Sequence, residues 1–203
     1  MKTYTQIILR MIFIFVVSTQ LSCSAFQTVR VVPVFDPEAT ILPQSGTVVH
    51  VKNGITVMAV PLNDVKEVDA FGILIFNSTD HWISFKQKDC WILDQSGNET
   101  KPIHRALLTS YLGKNFKPRL PPEFPTEVFR WNKSIRTMGD SVALPREDVE
   151  KTTVMPKNRA QFFLYFHKRS IKSSRLRIIV PKIHSEFTGT ETTFVFKFEV
   201  QKG

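Results

Sequence analysis

The sequence predicts an all-β protein, an antiparallel sandwich of about eight or nine short strands. Three observations support this prediction: an Asn53-Gly54 turn between two apolar runs, a nearly unbroken apolar run at 71–77, and a strictly alternating run at 194–200. Phenylalanine is abundant, at 17 residues, whereas glycine is scarce, at 8. This composition favours a packed aromatic core over a flexible or low-complexity chain.

Residues 47–60 carry the clearest hairpin signal. Asn53 and Gly54 both accept the positive φ of a two-residue type I′ turn, and valine-rich runs flank them. Alternation along these runs places His50 on the outer face, where a lone histidine is usually a surface residue. The same alternation predicts a core face shared by both strands and made of Val49, Val51, Ile55, Val57 and Ala59.

The other strands follow from unbroken apolar runs or from period-two alternation. Residues 71–77 read as a central strand buried on both faces, and residues 161–166 as a second core strand. In the strand at 174–180, Leu176 and Ile178 are expected to point inward. In the last strand, four residues are expected to share the core face: Phe194, Phe196, Phe198 and Val200.

The middle of the chain, about 101–157, departs from this rhythm and is predicted to be an insertion rich in proline and aromatic residues. It begins with one short helix, whose apolar residues at 103–112 have helical spacing between Pro102 and Gly113. Two interpretations of the rest stay open. Apolar residues on a stiff loop suit partner docking, because little entropy is lost on binding, or they cover an open end of the sandwich. The residues concerned are Phe116, Leu120, Phe124, Phe129 and Trp131.

Residues 1–22 have the three parts of a secretory signal. Lys2 and Arg10 make its start positive without any acidic residue, and an apolar run at 11–17 precedes a polar stretch. This run is much shorter than the roughly 20 apolar residues that span a bilayer. A permanent transmembrane helix is therefore the weaker interpretation.

The segment Leu21-Ser22-Cys23 resembles the lipobox of bacterial lipoproteins, in which a small residue precedes a cysteine that becomes acylated. Gln20 stands where that pattern usually has an aliphatic residue. The resemblance implies a lipid on Cys23 and, with Ser24 following, retention at the outer membrane on its periplasmic or surface face. The alternative is a soluble secretion signal cut after Ala25. If Cys23 stays in the chain without being acylated, a disulfide between Cys23 and Cys90 becomes possible. Otherwise Cys90, within an apolar run, is expected to be buried and inert.

The order of a buried strand, a turn at 77–80 and an alternating strand resembles many immunoglobulin-like sandwiches of bacterial exported proteins. The disulfide that joins strands B and F of antibody domains is absent. The predicted organisation is a signal at 1–22, a tether and first edge strand at 23–46, and a single sandwich domain at 47–203. Pro33 indicates the edge position of the first strand, because proline cannot donate a ladder hydrogen bond.

The segment from His167 to Lys182 is the most distinctive charged feature of a chain whose formal net charge is +9. It contains no acidic residue, and near an anionic membrane each basic side chain contributes about 1 kcal/mol. Contact with anionic lipid or polymer is one interpretation, and a solvated hairpin tip is the other. The basic residues are Lys168, Arg169, Lys172, Arg175, Arg177 and Lys182.

No motif in the sequence points to catalysis, to a metal or to another cofactor. The five histidines are far apart and match no ligand spacing, and no nucleophile motif is present. Nucleic acid is not an expected partner, because the aromatic residues alternate into the core. The leading hypothesis is a lipid-anchored envelope protein, non-enzymatic, that contacts other envelope proteins. The second is a soluble exported protein that binds anionic lipid or polymer through 168–182, and an envelope enzyme is the third.

Overall fold

The computed structural model describes residues 29–113, 116–121, 124, 151–169 and 174–202. Residues Val31–Val200 form one compact unit. The described residues outside this unit, Val29, Arg30, Gln201 and Lys202, are the ends of the first and last strands. The signal, Cys23 and most of 122–150 lie outside the described residues.

The described chain contains twelve strands, one α-helix and one 3-10 turn. The helix, α1, spans Arg105–Leu112, and the 3-10 turn spans Gln87–Asp89. The strands in chain order are β1 (Val29–Pro33), β2 (Thr40–Leu42), β3 (Thr47–Lys52), β4 (Ile55–Pro61), β5 (Val68–Asn77), β6 (Ile83–Phe85), β7 (Trp91–Asp94), β8 (Glu99–Thr100), β9 (Thr152–Val154), β10 (Arg159–His167), β11 (Arg175–Ser185) and β12 (Glu191–Lys202).

The strands form two sheets, which confirms the predicted all-β sandwich. One sheet has seven strands in the order β1-β12-β11-β6-β9, with β7 also beside β11 and β8 beside β7. The other has five strands in the order β10-β5-β4-β3-β2. More strands are present than were predicted, since β2, β8 and β9 have only two or three residues. So short a strand leaves no readable alternation in the sequence.

The core between the sheets, called the inner cluster, confirms the alternation predicted for the long strands. Phe194, Phe196 and Phe198 of β12 are buried in it, and Leu176 and Ile178 of β11 face them. β5 is buried on both faces, as its apolar sequence predicted. Its Phe71, Ile73 and Ile75 belong to the inner cluster, whereas Ala70 and Leu74 lie on the opposite face.

The outer face of the five-stranded sheet is covered by α1 and by the described part of the insertion. Leu108 and Leu112 of α1 pack there with Phe124, which is completely buried; together these residues and their neighbours form the outer cluster. The predicted helix is thus confirmed, and it ends before Gly113, whose φ is +80°. Within the part of the chain that the structure describes, no helix is long and apolar enough to cross a membrane.

The hairpin at 47–60 has the predicted turn, but the predicted facing of its first strand is wrong. Asn53 and Gly54 have φ of 53° and 72°, and Lys52 pairs with Ile55 across the turn. His50 therefore pairs with Val57 and points into the core, while Val51 is exposed. The physical reason is that directly paired residues of antiparallel strands lie on the same face, so a two-residue turn determines the facing of both strands together.

Candidate interaction surface

Four loops meet at one end of the sandwich, called the loop end: Asn53-Gly54, 78–82, 155–158 and 186–190. Direct hydrogen bonds connect them. Ser78 N donates to Gly54 O at 2.9 Å, and Glu186 N donates to Trp82 O at 2.9 Å. Asn53 Nδ2 also donates to Thr192 Oγ1 at 3.0 Å, at the start of β12. The loops therefore form one continuous surface, although they are far apart in sequence.

Asn77, at the end of β5, holds two of these loops together. Its side chain is fully buried, and its Nδ2 donates to the carbonyl oxygens of His81, Val154 and Met155 at 2.7, 3.2 and 3.2 Å. Its Oδ1 accepts hydrogen bonds from the backbone N and Oγ1 of Thr79 at 3.0 and 2.6 Å. The amide of one side chain thus satisfies backbone groups of both loops, which fixes their relative position.

Charged side chains at the loop end face each other in pairs. Lys157 Nζ lies 2.9 Å from Asp80 Oδ1, and Lys151 Nζ lies 2.6 Å from Glu186 Oε1. Hydrogen bonding to Lys157 lowers the pKa of Asp80, and hydrogen bonding to Lys151 and then Ser84 lowers the pKa of Glu186. Both carboxyl groups are therefore ionised at neutral pH, and the four side chains carry no net charge.

Three large apolar side chains protrude from this end, each from a different loop. Trp82 is 50% exposed, Met155 51% and Phe187 74%. The imidazole of His81 stacks on Phe187, with ring centroids 4.1 Å apart and an interplanar angle of 12°. We call these four residues the aromatic tip. Large apolar side chains exposed together on a surface often mark an interaction site.

The chain enters the sandwich at the opposite end. Val31 N donates to Asn63 Oδ1 at 2.8 Å, and Asn63 Nδ2 donates to Val31 O at 3.0 Å. Asn63 follows the end of β4, and the start of that strand, Ile55, lies beside the turn at the loop end. The aromatic tip is thus separated from the chain entry by the length of a strand.

The structure divides the predicted basic segment between two places. Phe166 of β10 pairs with Asp69 of β5, and this register brings the nearly buried carboxylate beside Arg169, with Nη1 and Oδ1 2.5 Å apart. Lys168 Nζ lies 3.8 Å from the same Oδ1. The segment itself contains no acidic residue, but Asp69 approaches it from another strand.

The other described basic residues lie on the seven-stranded sheet. Arg175 and Arg177 are exposed on its outer face, as predicted, where Arg177 pairs with Lys197 of β12. Lys182 is exposed at an irregularity of β11, with φ of 49°. Lys172 lies outside the described residues. The five described basic residues are therefore divided between the end of β10 and the outer face of β11.

The predicted docking residues of the insertion are divided in a similar way. Phe124 is fully buried and is therefore no exposed docking side chain, while Phe116 and Leu120 are partly buried against the outer cluster. These three residues cover a sheet, which is closer to the second interpretation, although they cover a face and not an open end. Phe129 and Trp131 lie outside the described residues.

The one cysteine of the described residues is placed unfavourably for chemistry. Cys90 is a free thiol in the inner cluster, and burial raises its pKa to about 12, which agrees with the expected inert thiol. Cys23, its alternative disulfide partner, lies outside the described residues. Among the residues that the structure describes, no group of three His, Cys, Asp or Glu side chains could hold a metal ion.

Sequence reasoning missed the aromatic tip, although it identified a turn at 77–80. The alternating pattern after this turn places Trp82 in a strand, and no motif singles out Met155 or Phe187. Nothing in the local pattern distinguishes these residues from core residues, because only the meeting of three loops makes them neighbours. No protein-family model matches the chain, and no curated protein matches it either.

Proposed function

We propose that this protein is an exported cell-envelope protein that acts as a non-enzymatic binding module, held at a membrane by lipid on Cys23. The observation that supports the binding role is the aromatic tip. Aromatic residues and methionine are enriched at binding interfaces, and they dominate binding energy when rigid surroundings hold them in place. The loops that carry Trp82, Met155 and Phe187 have such surroundings.

The fixed geometry of the loop end favours binding, since little conformational entropy remains to be lost. Asn77 joins two of the loops, and the Lys157–Asp80 pair joins them again. The position of the tip also suits the binding of a partner. The tip lies at the opposite end of the sandwich from Val31 and Asn63, so these residues leave it exposed.

The anchor is tested by chemistry at Cys23 and not by location alone. Intact mass of the mature protein should include the acyl chains, and metabolic labelling with a fatty acid should disappear in the Cys23→Ala variant. Label retained in Cys23→Ala, or a mature mass without acyl chains, would contradict the anchor and favour the soluble form cut after Ala25.

The binding role is tested by photo-crosslinking in intact cells. A photoreactive amino acid replaces Phe187 in one variant and Phe35 in the control, because Phe35 is 81% exposed but lies between β1 and β2 and on none of the four loops. Discrete crosslinked species from position 187, absent from position 35, are expected. Equal yields from the two positions, or none from position 187, would count against a binding role of the tip.

A second candidate is a soluble exported protein that contacts anionic lipid or polymer through the outer face of the seven-stranded sheet. One observation favours it: Arg177 lies directly opposite Lys197, and an anionic ligand would relieve the repulsion of two like charges. The ion pair between Lys197 and Asp36, at 2.8 Å, already relieves part of this repulsion. Arg175→Glu with Arg177→Glu should weaken binding to anionic vesicles, and unchanged binding would eliminate this candidate.

A further inference from the structure

We infer that the aromatic tip inserts into the headgroup region of a bilayer whose lipids carry no net charge. The inference rests on the proposal that the loop end is the binding end, and it adds the chemistry of the surface that the tip meets. Three properties of the described residues lead to it: the kind and shape of the exposed side chains, the internal hydrogen bonding of the loops, and the pairing of the charges around them.

The side chains of the tip are those that favour a membrane interface. Tryptophan and other amphipathic rings concentrate at the headgroup level, where one part of the ring is apolar and another is wet. Trp82 and the stacked pair of His81 and Phe187 have this character, and Met155 adds a flexible apolar chain. The residues project from separate loops, so they suit a soft surface that closes around them.

Backbone groups of the tip already have partners within the protein. The carbonyl oxygens of His81 and Met155 accept from Asn77, and that of Trp82 accepts from Glu186 N. In the loop that carries Phe187, Gly189 N donates to Ser185 O at 2.9 Å. An unpaired backbone group costs several kcal/mol in a lipid environment. Loops that satisfy these groups internally avoid that cost when they leave water.

The charges beside the tip neutralise one another. Asp80 with Lys157 and Glu186 with Lys151 make two ion pairs, so these four side chains offer no excess positive charge to attract anionic lipid. Binding should therefore depend little on anionic lipid and on salt, because screening weakens only unneutralised long-range attraction. This property separates the aromatic tip from the basic residues of the seven-stranded sheet, whose attraction to anionic vesicles would fall in high salt.

The experiment measures partitioning onto phosphatidylcholine vesicles by co-sedimentation. It uses residues 24–203, the exported chain without the signal and without Cys23, which keep the whole compact unit Val31–Val200. Circular dichroism first verifies that this chain and its variants are folded. Phe187→Ala should weaken partitioning about tenfold, from the apolar surface lost. Phe35→Ala removes a more exposed ring that is not part of the aromatic tip, and it should leave partitioning onto the vesicles unchanged.

Insertion has a second, independent readout. Vesicles with brominated acyl chains should quench part of the tryptophan fluorescence, and Trp82→Phe should abolish the quenched part. Lack of binding to phosphatidylcholine, binding that requires anionic lipid and disappears in high salt, or equal losses in Phe187→Ala and Phe35→Ala would each overturn the inference. A protein crosslinked from position 187, together with no vesicle binding, would overturn the lipid partner and leave the binding role of the tip intact.

Discussion

The imidazole of His50 packs edge-on against the ring of Phe196, with centroids 5.2 Å apart, and this contact joins β3 of one sheet to β12 of the other. Neither ring nitrogen has a hydrogen-bond partner among the described residues. Burial is the main cause that lowers the pKa of His50; Asp36, the next largest influence, raises this pKa, Lys52 lowers it and Glu38 raises it. Asp36 itself forms an ion pair with Lys197 at 2.8 Å. A neutral histidine therefore serves as an apolar core residue here.

This arrangement predicts that stability falls in mild acid. Because the folded pKa of His50 is lowered from 6.5, the unfolded chain takes up a proton first as the pH falls, and stability is lost below about pH 6.5. The loss between pH 7 and pH 5 should be at most about 2 kcal/mol. Urea unfolding at several pH values measures it. His50→Leu should lose less stability over this range, whereas the exposed control His104→Gln should behave like the wild type.

Gly72 is predicted to be required for the packing of the outer cluster. A Cβ at this position would lie 2.8 Å from Leu120 Cδ2 and 3.1 Å from Val60 Cγ1. Gly72→Ala should lower the free energy of unfolding by about 1–3 kcal/mol, the usual cost of overpacking. Adding Leu120→Ala removes the closest atom, so the double variant should lose less than the sum of the single ones. Strict additivity would show that the close approach is unimportant.

Asn77 is predicted to be the most sensitive polar residue of the loop end. Asn77→Ala leaves the carbonyl oxygens of His81, Val154 and Met155 without this donor and should cost about 3 kcal/mol of stability. In Asn77→Ala, the rate of backbone amide hydrogen exchange should increase more at 78–82 and 155–158 than in β12. Asn98→Ala is the matched control, since its side chain bonds Asp94 in an exposed turn. A cost similar to that of the control would contradict the role of Asn77.

The Arg169–Asp69 pair is predicted to contribute to stability through its burial. The side chains are 11% and 3% exposed, so Asp69→Asn leaves a buried guanidinium without its counter-charge and should cost about 3 kcal/mol. Lys168→Ala, which removes an exposed lysine 3.8 Å from the same carboxylate, should change stability by about 0.5 kcal/mol or less. Thermal unfolding measures the loss of stability in each of the two variants. Equal losses would contradict a particular contribution of the buried pair.

Much of the fold was predictable because it depends on neighbours along the chain. Phe194, Phe196 and Phe198 occupy every second position of β12, and all three are buried in the inner cluster, whereas the residues between them are not buried. The turn at Asn53-Gly54 needs two residues that accept positive φ, and both are present. The facing of β3 was mistaken because valines occur on both of its faces, so alternation alone could not choose between them. The register across the turn pairs His50 with Val57, and this pairing decides which face of β3 is buried.

The candidate site was not predictable, because its residues become neighbours only in the folded chain. Trp82, Met155 and Phe187 come from three loops, and Asp69 meets Arg169 from 100 residues away in sequence. By itself the sequence determined the all-β class, the long strands, the helix and the burial of Cys90, since local alternation and apolar runs encode them. Only the tertiary structure decided which apolar residues stay exposed and which basic residues are neutralised, because both depend on contacts between distant strands and loops.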